Sequence, residues 1–264
     1  MSAATDKMHE QEGLKFSVVI PVYNGEQTIQ RALDSVLAQS YDNYEIIVVN
    51  DASTDKTGDL LKTSFSTQIT LTSKVINAGG AVARNSGMDV ATGDYIAFLD
   101  ADDIWHPDKL SLMNTILTAA PSIHLLYHPY TLEPIANKRI PEDIKLFRLP
   151  FVKLLPANLI ATPCTVIKND PKFRFDDRMR YTEDYDLWLR IGYKHKLHFI
   201  NIPLTQLFRP INSAGGVSSN KWAMRKGEMR AYRKLVKLNP LFLLLLPILV
   251  ISSLGKHVVK KVLG

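Results

Sequence analysis

Short apolar runs that alternate with helical patterns constrain the fold of this chain more than any other feature. Residues 16–22, 44–50 and 95–99 are mainly apolar runs, each followed by polar residues. After the first run, Ile29 and Leu33 begin a helical repeat. Such runs are typical of strands buried on both faces, and their alternation with helices predicts a parallel sheet between two helical layers. We therefore expect an α/β fold.

Weaker signals predict the remaining elements. A strand is expected within residues 69–76, helices over 80–90 and 107–119, and a strand over 197–202. Thr182 can cap a helix that continues through Trp188. Residues 129–160 contain several prolines and follow no clear period, so we expect a variable segment that lines an acceptor cleft.

Polar side chains follow three of the predicted strands at the point where each strand ends. The turns read Pro-Val-Tyr-Asn at residues 21–24, Asn-Asp-Ala-Ser at 50–53 and Asp-Ala-Asp-Asp at 100–103. In an open parallel sheet, ligands bind outside the carboxyl ends of the strands. The three turns are therefore expected to line one ligand-binding crevice.

The Asp-x-Asp step at Asp100 and Asp102 is the centre of the predicted chemistry. In an extended segment, alternate side chains point the same way, so both carboxylates could face one hard cation such as Mg²⁺ or Mn²⁺. A cation of this kind can act as a Lewis acid on a diphosphate leaving group. The alternative is an acidic turn that caps the helix beginning near Pro107.

The formal net charge of +6 is concentrated at the C-terminal end of the chain. Residues 221–264 contain ten Lys and Arg side chains and one acidic side chain, whereas residues 1–220 contain twenty-two basic and twenty-five acidic ones. A nucleic-acid enzyme would be expected to carry its basic charge on the catalytic body, so nucleic acid is not an expected partner. The distribution favours a C-terminal segment that contacts an anionic surface such as membrane lipid.

The C-terminal segment also contains a run of almost wholly apolar residues. This run, residues 241–254, is interrupted by Pro247 and followed by several lysines. It is too short to cross a bilayer, which takes about twenty residues. We expect an interfacial or re-entrant helix held at the membrane by the lysines, with a helix docked on the core as the alternative.

The number of cysteines and the N-terminal sequence indicate the cellular compartment of the protein. Cys164 is the only cysteine, so an intramolecular disulfide is impossible and a reducing compartment is expected. The first fifteen residues are polar and show no secretory signal. These features favour a cytoplasmic protein.

Five spaced motifs resemble those of glycosyltransferase family 2, a family of inverting enzymes with the GT-A fold. The motifs lie at residues 19–24, 49–55, 77–87, 98–103 and 182–188. Their order and spacing match the family across residues 16–190. The resemblance implies a nucleotide-binding, Rossmann-like, mostly parallel sheet, a nucleotide-sugar donor, and Mn²⁺ or Mg²⁺ as cofactor.

The resemblance also implies roles for individual residues. The implied donor-binding positions are Pro21, Tyr23, Asn24, Glu26, Asp51, Arg84, Asp100, Ala101, Asp102 and Arg209. The first three would form a wall around the nucleoside, Asp51 would hydrogen-bond the base, commonly uracil, and Arg84 would lie near the diphosphate. Asp102 would be the main metal ligand, and Asp100 would contact ribose or metal. Taken alone, Asp51 could instead form a turn and Arg84 a surface ion pair.

Asp184 is the candidate general base, with Glu183 beside it. An inverting transfer needs a carboxylate that takes the proton of the acceptor hydroxyl as its oxygen attacks the anomeric carbon. Both side chains could also complement the N-terminal dipole of their helix, and the two roles are compatible.

One departure from the family separates this chain from the processive synthases. Those enzymes carry Gln-x-x-Arg-Trp, whereas here Gln206 and Arg209 are followed by Pro210. We therefore expect one sugar to be added per encounter. The related element would be the Arg209 segment and the loop 210–220, whose glycines permit movement over the donor. Contact between Arg209 and phosphate is left open.

Three regions are expected along the chain: a polar extension over residues 1–15, a GT-A domain over 16–220 and a basic, apolar helical tail over 221–264. Within the domain, residues 16–103 would form the nucleotide-sugar half and residues 104–220 the acceptor half.

The expected function is transfer of one hexose or N-acetylhexosamine from a UDP-sugar to a saccharide acceptor on a lipid carrier. The tail would hold the protein peripherally at the inner face of a bacterial cell membrane, in surface polysaccharide or lipopolysaccharide assembly. The alternative is a catalytically inactive sugar-nucleotide-binding or membrane scaffold protein of the same fold. A dehydrogenase is disfavoured because residues 23–26 lack the Gly-x-Gly-x-x-Gly turn. An aspartyl phosphatase would carry its Asp-x-Asp pair after the first strand.

Overall fold

The computed structural model describes residues 13–210 and 220–262 of the chain, with side-chain surroundings as far as Gly255. An eight-stranded sheet forms its centre, in the order β3-β2-β1-β4-β9-β6-β10-β8. The first half consists of β1 (Phe16–Val22), β2 (Tyr44–Asn50), β3 (Thr70–Ser73) and β4 (Tyr95–Phe98). All pairings within this half are parallel.

The second half of the sheet is mixed. It consists of β6 (Leu125–Tyr127), β8 (Leu146–Leu149), β9 (Thr165–Lys168) and β10 (Leu197–Ile200). Strand β9 runs antiparallel to both β4 and β6, and β8 is antiparallel to β10. A small second sheet is formed by β5 (Ile104–Trp105), β7 (Tyr130–Thr131) and β11 (Thr205–Gln206), and it adjoins the turn that follows β4.

Eight α-helices connect and cover the strands of the described chain. They are α1 (Ile29–Leu37), α2 (Thr57–Ser64), α3 (Gly80–Val90), α4 (Lys109–Ala119), α5 (Phe151–Leu154), α6 (Glu183–Lys194), α7 (Lys221–Leu238) and α8 (Leu246–Val262). Short 3₁₀ segments occur at Thr162–Cys164 and Pro240–Leu244.

The side chains of β1 alternate between two hydrophobic cores, as successive residues of a strand must. Val18 and Ile20 pack with α1 and α4, whereas Val19 packs on the opposite face with α3, α6 and α7. Helices therefore cover both faces of the sheet. The predicted α/β fold with a mostly parallel sheet is confirmed.

One local prediction needs correction, and one unassigned segment is now defined. Thr182 occupies the position before α6, but its backbone is left-handed, with a φ of 56°, and its side chain does not cap the helix. The hydroxyl instead donates to the carbonyl of Tyr181. The segment 129–160, which showed no clear period, contains β7, β8 and α5.

The C-terminal region is helical as predicted and packs in part on the domain. Helix α7 lies against α6, and Gly227 allows this close approach because a Cβ at that position would lie 2.6 Å from the carbonyl oxygen of Tyr181. On α8, Leu249 and Ser253 are buried, and Ser253 Oγ donates to Glu228. One face of α8 is therefore docked on α7.

A second face of this region is apolar and exposed. Its exposed side chains are Leu241, Leu243, Leu244, Leu245, Ile248, Ile251 and Leu254. In the described part of the chain, no helix is both long and apolar enough to cross a bilayer. The predicted loop 210–220 lies almost wholly outside the described residues, as does most of the N-terminal extension.

Candidate active site

The turn after β4 lies at the carboxyl end of the parallel half of the sheet, and it is a closed turn. The amide of Asp103 donates to the carbonyl oxygen of Asp100 at 3.1 Å. The expected extended arrangement of Asp100, Ala101 and Asp102 is therefore wrong, because this backbone bond folds the segment back on itself. Arg31 Nη2 fixes the turn from outside by donating to the carbonyl oxygen of Asp102 at 2.7 Å.

Arg84 joins this turn to the beginning of α6. Its Nη2 lies 2.8 Å from Asp100 Oδ1, and its Nη1 lies 3.3 Å from Glu183 Oε1. Only 11% of the Arg84 side chain is exposed. The alternative of a surface ion pair is therefore wrong, because Arg84 forms a largely buried bridge between two motifs that lie far apart in the sequence.

Asp184 lies next to this bridge and is positioned by the segment between β8 and β9. Its Oδ2 accepts from Asn158 Nδ2 at 2.8 Å and from Thr162 Oγ1 at 3.4 Å, and its Oδ1 accepts from the amide of Tyr185. Burial raises the pKa of Asp184, and the negative charge of Asp100 raises it further. A carboxylate with a raised pKa is better suited to accept a proton near neutral pH.

Glu183 shares this environment. Burial raises the pKa of Glu183, the charge of Asp184 adds to this increase, and the guanidinium of Arg84 opposes it. Glu183 is engaged with Arg84. Asp184 is held by neutral donors and is therefore the better placed of the two to take a proton.

Asp102 is paired with Arg209. Arg209 Nη2 lies 2.6 Å from Asp102 Oδ2, and both side chains are partly exposed. The predicted donor-side arginine is therefore brought to the predicted metal ligand. Next to this pair, Asp103 is buried, and burial together with the charges of Asp100 and Asp102 raises the pKa of Asp103 to about 8.

The donor set of the turn fits a hard divalent cation that takes part of its coordination from a bound nucleotide. Asp100 and Asp102 supply carboxylate oxygens, the ligands that Mg²⁺ prefers, and Mn²⁺ shares this preference. The pKa of Asp103 is raised first by burial and then by the negative charges of Asp100 and Asp102. Among the side chains that the structure describes, no group of three or more His, Cys, Asp or Glu residues could hold a metal ion.

Asp51 shapes the loop that precedes α3. Its buried carboxylate accepts from the amides of Ala78 and Gly79 at 3.0 and 2.8 Å. Gly79 has a φ of 89°, a conformation that favours glycine. Both contacts are to the backbone of this loop, and the hydrogen bond between Asp51 and a base stays a prediction.

Asn24 and Glu26 likewise hold backbone on the donor side. Asn24 Oδ1 accepts from the amide of Thr54 at 2.8 Å, and Glu26 Oε2 accepts from the amide of Lys56 at 2.9 Å. Tyr23 lies beside them in sequence and is half exposed, and its contact with a nucleoside stays a prediction. Pro21 is partly buried within β1.

Sequence reasoning missed several residues around the site. Lys109 is fully buried beneath the small sheet, where its Nζ donates to the carbonyl of Pro163 at 3.0 Å and lies 3.9 Å from the centre of the Trp105 ring. Burial lowers the pKa of Lys109 to about 7. No sequence pattern distinguishes this lysine from an exposed one. Asn158 and Thr162 were missed because they lie in or next to a segment without a readable period.

Comparisons with known proteins agree with this architecture. The family described as glycosyl transferase family 2 matches residues 17–138. The amylovoran biosynthesis glycosyltransferase AmsB of Erwinia amylovora is 34% identical over 201 residues, which cover 69% of this chain and 66% of that protein, slightly less than two thirds.

A second relative aligns over most of both chains. The UDP-Glc:alpha-D-GlcNAc-diphosphoundecaprenol beta-1,3-glucosyltransferase WfgD of Escherichia coli is 32% identical over 227 residues, covering 85% of this chain and 87% of that protein. Among solved structures, the mannosyltransferase PcManGT of Pyrobaculum calidifontis, in complex with GDP-Man and Mn²⁺, has a TM-score of 0.63 at 18% identity. That similarity covers 96% of this chain and 77% of the solved chain, and it concerns the fold.

Proposed function

Because this chain belongs to glycosyl transferase family 2, we propose that it transfers one hexose or N-acetylhexosamine from a UDP-sugar to a saccharide on a lipid diphosphate. The anomeric configuration would be inverted. WfgD, which aligns over most of its length with this chain, is named for a UDP-glucose donor and a diphosphoundecaprenol-linked acceptor. AmsB is named for amylovoran biosynthesis. The setting we propose is the assembly of a bacterial surface polysaccharide or lipopolysaccharide.

The observation that carries this proposal is the bridge made by Arg84. One guanidinium contacts both Asp100, in the turn after β4, and Glu183, at the start of α6. Asp184 is adjacent to Glu183, and the charge of Asp100 contributes to its raised pKa. A candidate base and a candidate diphosphate site therefore lie in one cluster, as a displacement at an anomeric carbon requires.

Asp184 is proposed as the general base. Its carboxylate takes the proton of the acceptor hydroxyl while that oxygen forms a bond to the anomeric carbon of the donor. The bond between the anomeric carbon and the diphosphate oxygen breaks, and UDP leaves with the electron pair. Attack from the side opposite the leaving group inverts the configuration, as in inverting hydrolysis. Asn158 and Thr162 hold the carboxylate in place.

Asp102 is proposed as the main ligand of Mn²⁺ or Mg²⁺, with Asp100 as a second contact to metal or ribose. When bound, such a cation supplies Lewis-acid stabilisation of the leaving diphosphate. Arg84 and Arg209 add positive charge to the proposed diphosphate site, because a planar guanidinium group suits phosphate oxygens. Tyr23, Pro21 and Asp51 are proposed as the nucleoside contacts.

The test is a panel of UDP-sugars offered to the full-length chain with a prenyl-diphosphate-linked GlcNAc acceptor, with Mn²⁺ and with a chelator. We expect transfer from one UDP-sugar, its loss with the chelator, and an inverted linkage by NMR. Binding of UDP-sugars without transfer or donor hydrolysis under any of these conditions would favour the inactive scaffold and contradict the proposal.

The apolar face of α8 and the preceding 3₁₀ segment supports the proposed location at the inner face of the membrane. A chain ending at residue 239 lacks this face and should no longer sediment with vesicles that contain anionic lipid. The full-length chain should sediment with them. Equal sedimentation of the two chains would contradict the membrane role of the tail.

A further inference from the structure

A groove lies between α7 and the segment that leads into α6. Its volume is about 670 Å³. Six basic side chains line it, and none of its lining residues is acidic. The basic side chains are Arg178, Arg180, Arg225, Lys226, Arg230 and Arg233. A concave surface with this composition is complementary to an anion of high charge density.

The basic side chains on α7 form a stripe at helical spacing. Lys226, Arg230 and Arg233 follow one another at intervals of four and three residues and are all exposed. The opposite face of the helix, which includes Leu235, is buried against the domain. Packing of α7 therefore explains the buried face and leaves the basic stripe unexplained.

Three of the six cations have structural partners. Arg225 contacts Glu228, while Arg178 pairs with Asp176 and accepts, through its carbonyl, a hydrogen bond from Arg230. In the described chain, no ion pair or hydrogen bond occupies the side chains of Arg180, Lys226 and Arg233, which are exposed.

The remaining three cations, Arg180, Lys226 and Arg233, are therefore available to a ligand. Guanidinium groups bind phosphate oxygens through paired hydrogen bonds, and an ammonium group adds a compact charge.

Two of the residues that line the groove belong to other parts of the molecule. Leu254 is part of the exposed apolar face of the C-terminal region. Tyr181 belongs to the segment that leads into α6, and its carbonyl oxygen is in close contact with Gly227 of α7. Tyr181 precedes Asp184 by three residues. The groove is thus lined both by the exposed apolar face and by the segment that leads to the candidate base.

We propose that this groove binds the diphosphate of the lipid-linked acceptor, a proposal that rests on the proposed function. The prenyl chain lies along the apolar face that includes Ile251 and Leu254. The diphosphate lies among Arg180, Lys226 and Arg233. The first sugar, which is attached to the diphosphate, extends past Tyr181 toward the catalytic carboxylate. Each part of such an acceptor meets a surface of matching chemistry.

The first experiment measures binding of farnesyl diphosphate to the full-length chain in the presence of saturating UDP and Mn²⁺, so that the donor site is blocked. Farnesol and inorganic pyrophosphate are the comparison probes. We expect farnesyl diphosphate to bind at least about tenfold more tightly than either probe, since only it offers both the charge and the apolar chain. Equal affinity for farnesol would overturn the proposal.

The second experiment uses the variant Arg180→Ala/Arg233→Ala. Loss of two charge-assisted contacts should weaken farnesyl diphosphate binding about tenfold. The matched control, Lys62→Ala/Lys172→Ala, removes the same charge from exposed positions outside the groove and should bind within about twofold of the parent. Equal weakening in both variants would assign the effect to net charge and overturn the proposal. Circular dichroism checks that both variants are folded.

The outcomes separate the groove from the proposed function. If the groove variant transfers sugar to a prenyl-diphosphate-linked acceptor with an unchanged KM, the groove assignment is wrong while the proposed function stands. If the parent chain binds farnesyl diphosphate in the groove yet transfers to no lipid-linked saccharide, the proposed function is wrong while the groove stands.

Discussion

The predicted donor side and the predicted acceptor side of the candidate active site are held by different kinds of contact. On the donor side, Asn24, Glu26 and Asp51 accept hydrogen bonds from backbone amides of neighbouring loops. On the acceptor side, Asp184 is held mainly by the side chains of Asn158 and Thr162. Backbone contacts fix the shape of a loop whatever residues it carries. Side-chain contacts depend on residue identity, so the acceptor side can change its chemistry by substitution alone.

The substitution with the largest expected effect is Asp184→Asn, because it removes the proposed base while keeping the shape of the side chain. We expect kcat to fall about 10² to 10⁴-fold, the range typical of a lost general base. The Kd for UDP, measured by calorimetry, should change little, since the donor side is held separately. The matched control is Asp143→Asn at an exposed position. Turnover equal to the control would remove Asp184 from the mechanism.

Asp51→Ala tests the donor side. It leaves two amides without their charged acceptor, and we expect a loss of about 2–4 kcal/mol in the free energy of unfolding, which chemical denaturation would measure. Weaker UDP binding should accompany the loss. Asp42→Ala, at an exposed aspartate, serves as the control. A variant of unaltered stability would show that the loop before α3 does not depend on this carboxylate.

Arg84→Lys tests the connection between the two sides. A lysine keeps the charge, but its single ammonium group cannot contact Asp100 and Glu183 in the same way as the guanidinium. We expect kcat/KM to fall about tenfold, or about 1.4 kcal/mol in transition-state stabilisation. Arg139→Lys, in an exposed ion pair, is the control. No decrease beyond that control would mean that positive charge alone suffices at position 84.

The smallest effect is expected for Asn158→Ala, and it concerns pH dependence. A base works in its deprotonated form, so kcat/KM should rise with pH through the raised pKa of Asp184. Asn158 lowers this pKa by donating to the carboxylate. Its removal should therefore move the acid limb of the profile to higher pH, while the plateau changes less than about threefold. Asn137→Ala, at an exposed asparagine, should not move the limb. A shift to lower pH would contradict the assignment.

Elements determined by local periodicity could be predicted from the sequence, whereas elements determined by distant pairing could not. The bounds of β1, β2 and α3 agree with the predicted ones because local periodicity determines them. Strand β8 could not be predicted, since it pairs with β10 some fifty residues away in sequence and leaves Leu146 and Phe147 exposed. Strand β8 is determined by its pairing with the distant strand β10 and not by the periodicity of its own residues.

The sequence predicted which residues belong to the candidate site but not how they are arranged. The resemblance identified Asp100, Asp102 and Asp184, and the structure brings the turn and the start of α6 together through Arg84. The predicted shape of the turn was wrong because a single backbone hydrogen bond, donated by the Asp103 amide, determines it. The contact between Asn158 and Asp184 depends on how a loop packs, which no local pattern encodes.

The contact at Gly227 connects the C-terminal region to the segment that leads into α6. Because a Cβ at position 227 would lie 2.6 Å from the carbonyl oxygen of Tyr181, any larger residue there must push α7 away from the segment that leads into α6. Asp184, the candidate base, follows Tyr181 by three residues, so such a displacement would act close to it. The packing of the C-terminal region is therefore tied, through this one glycine, to the position of the candidate base.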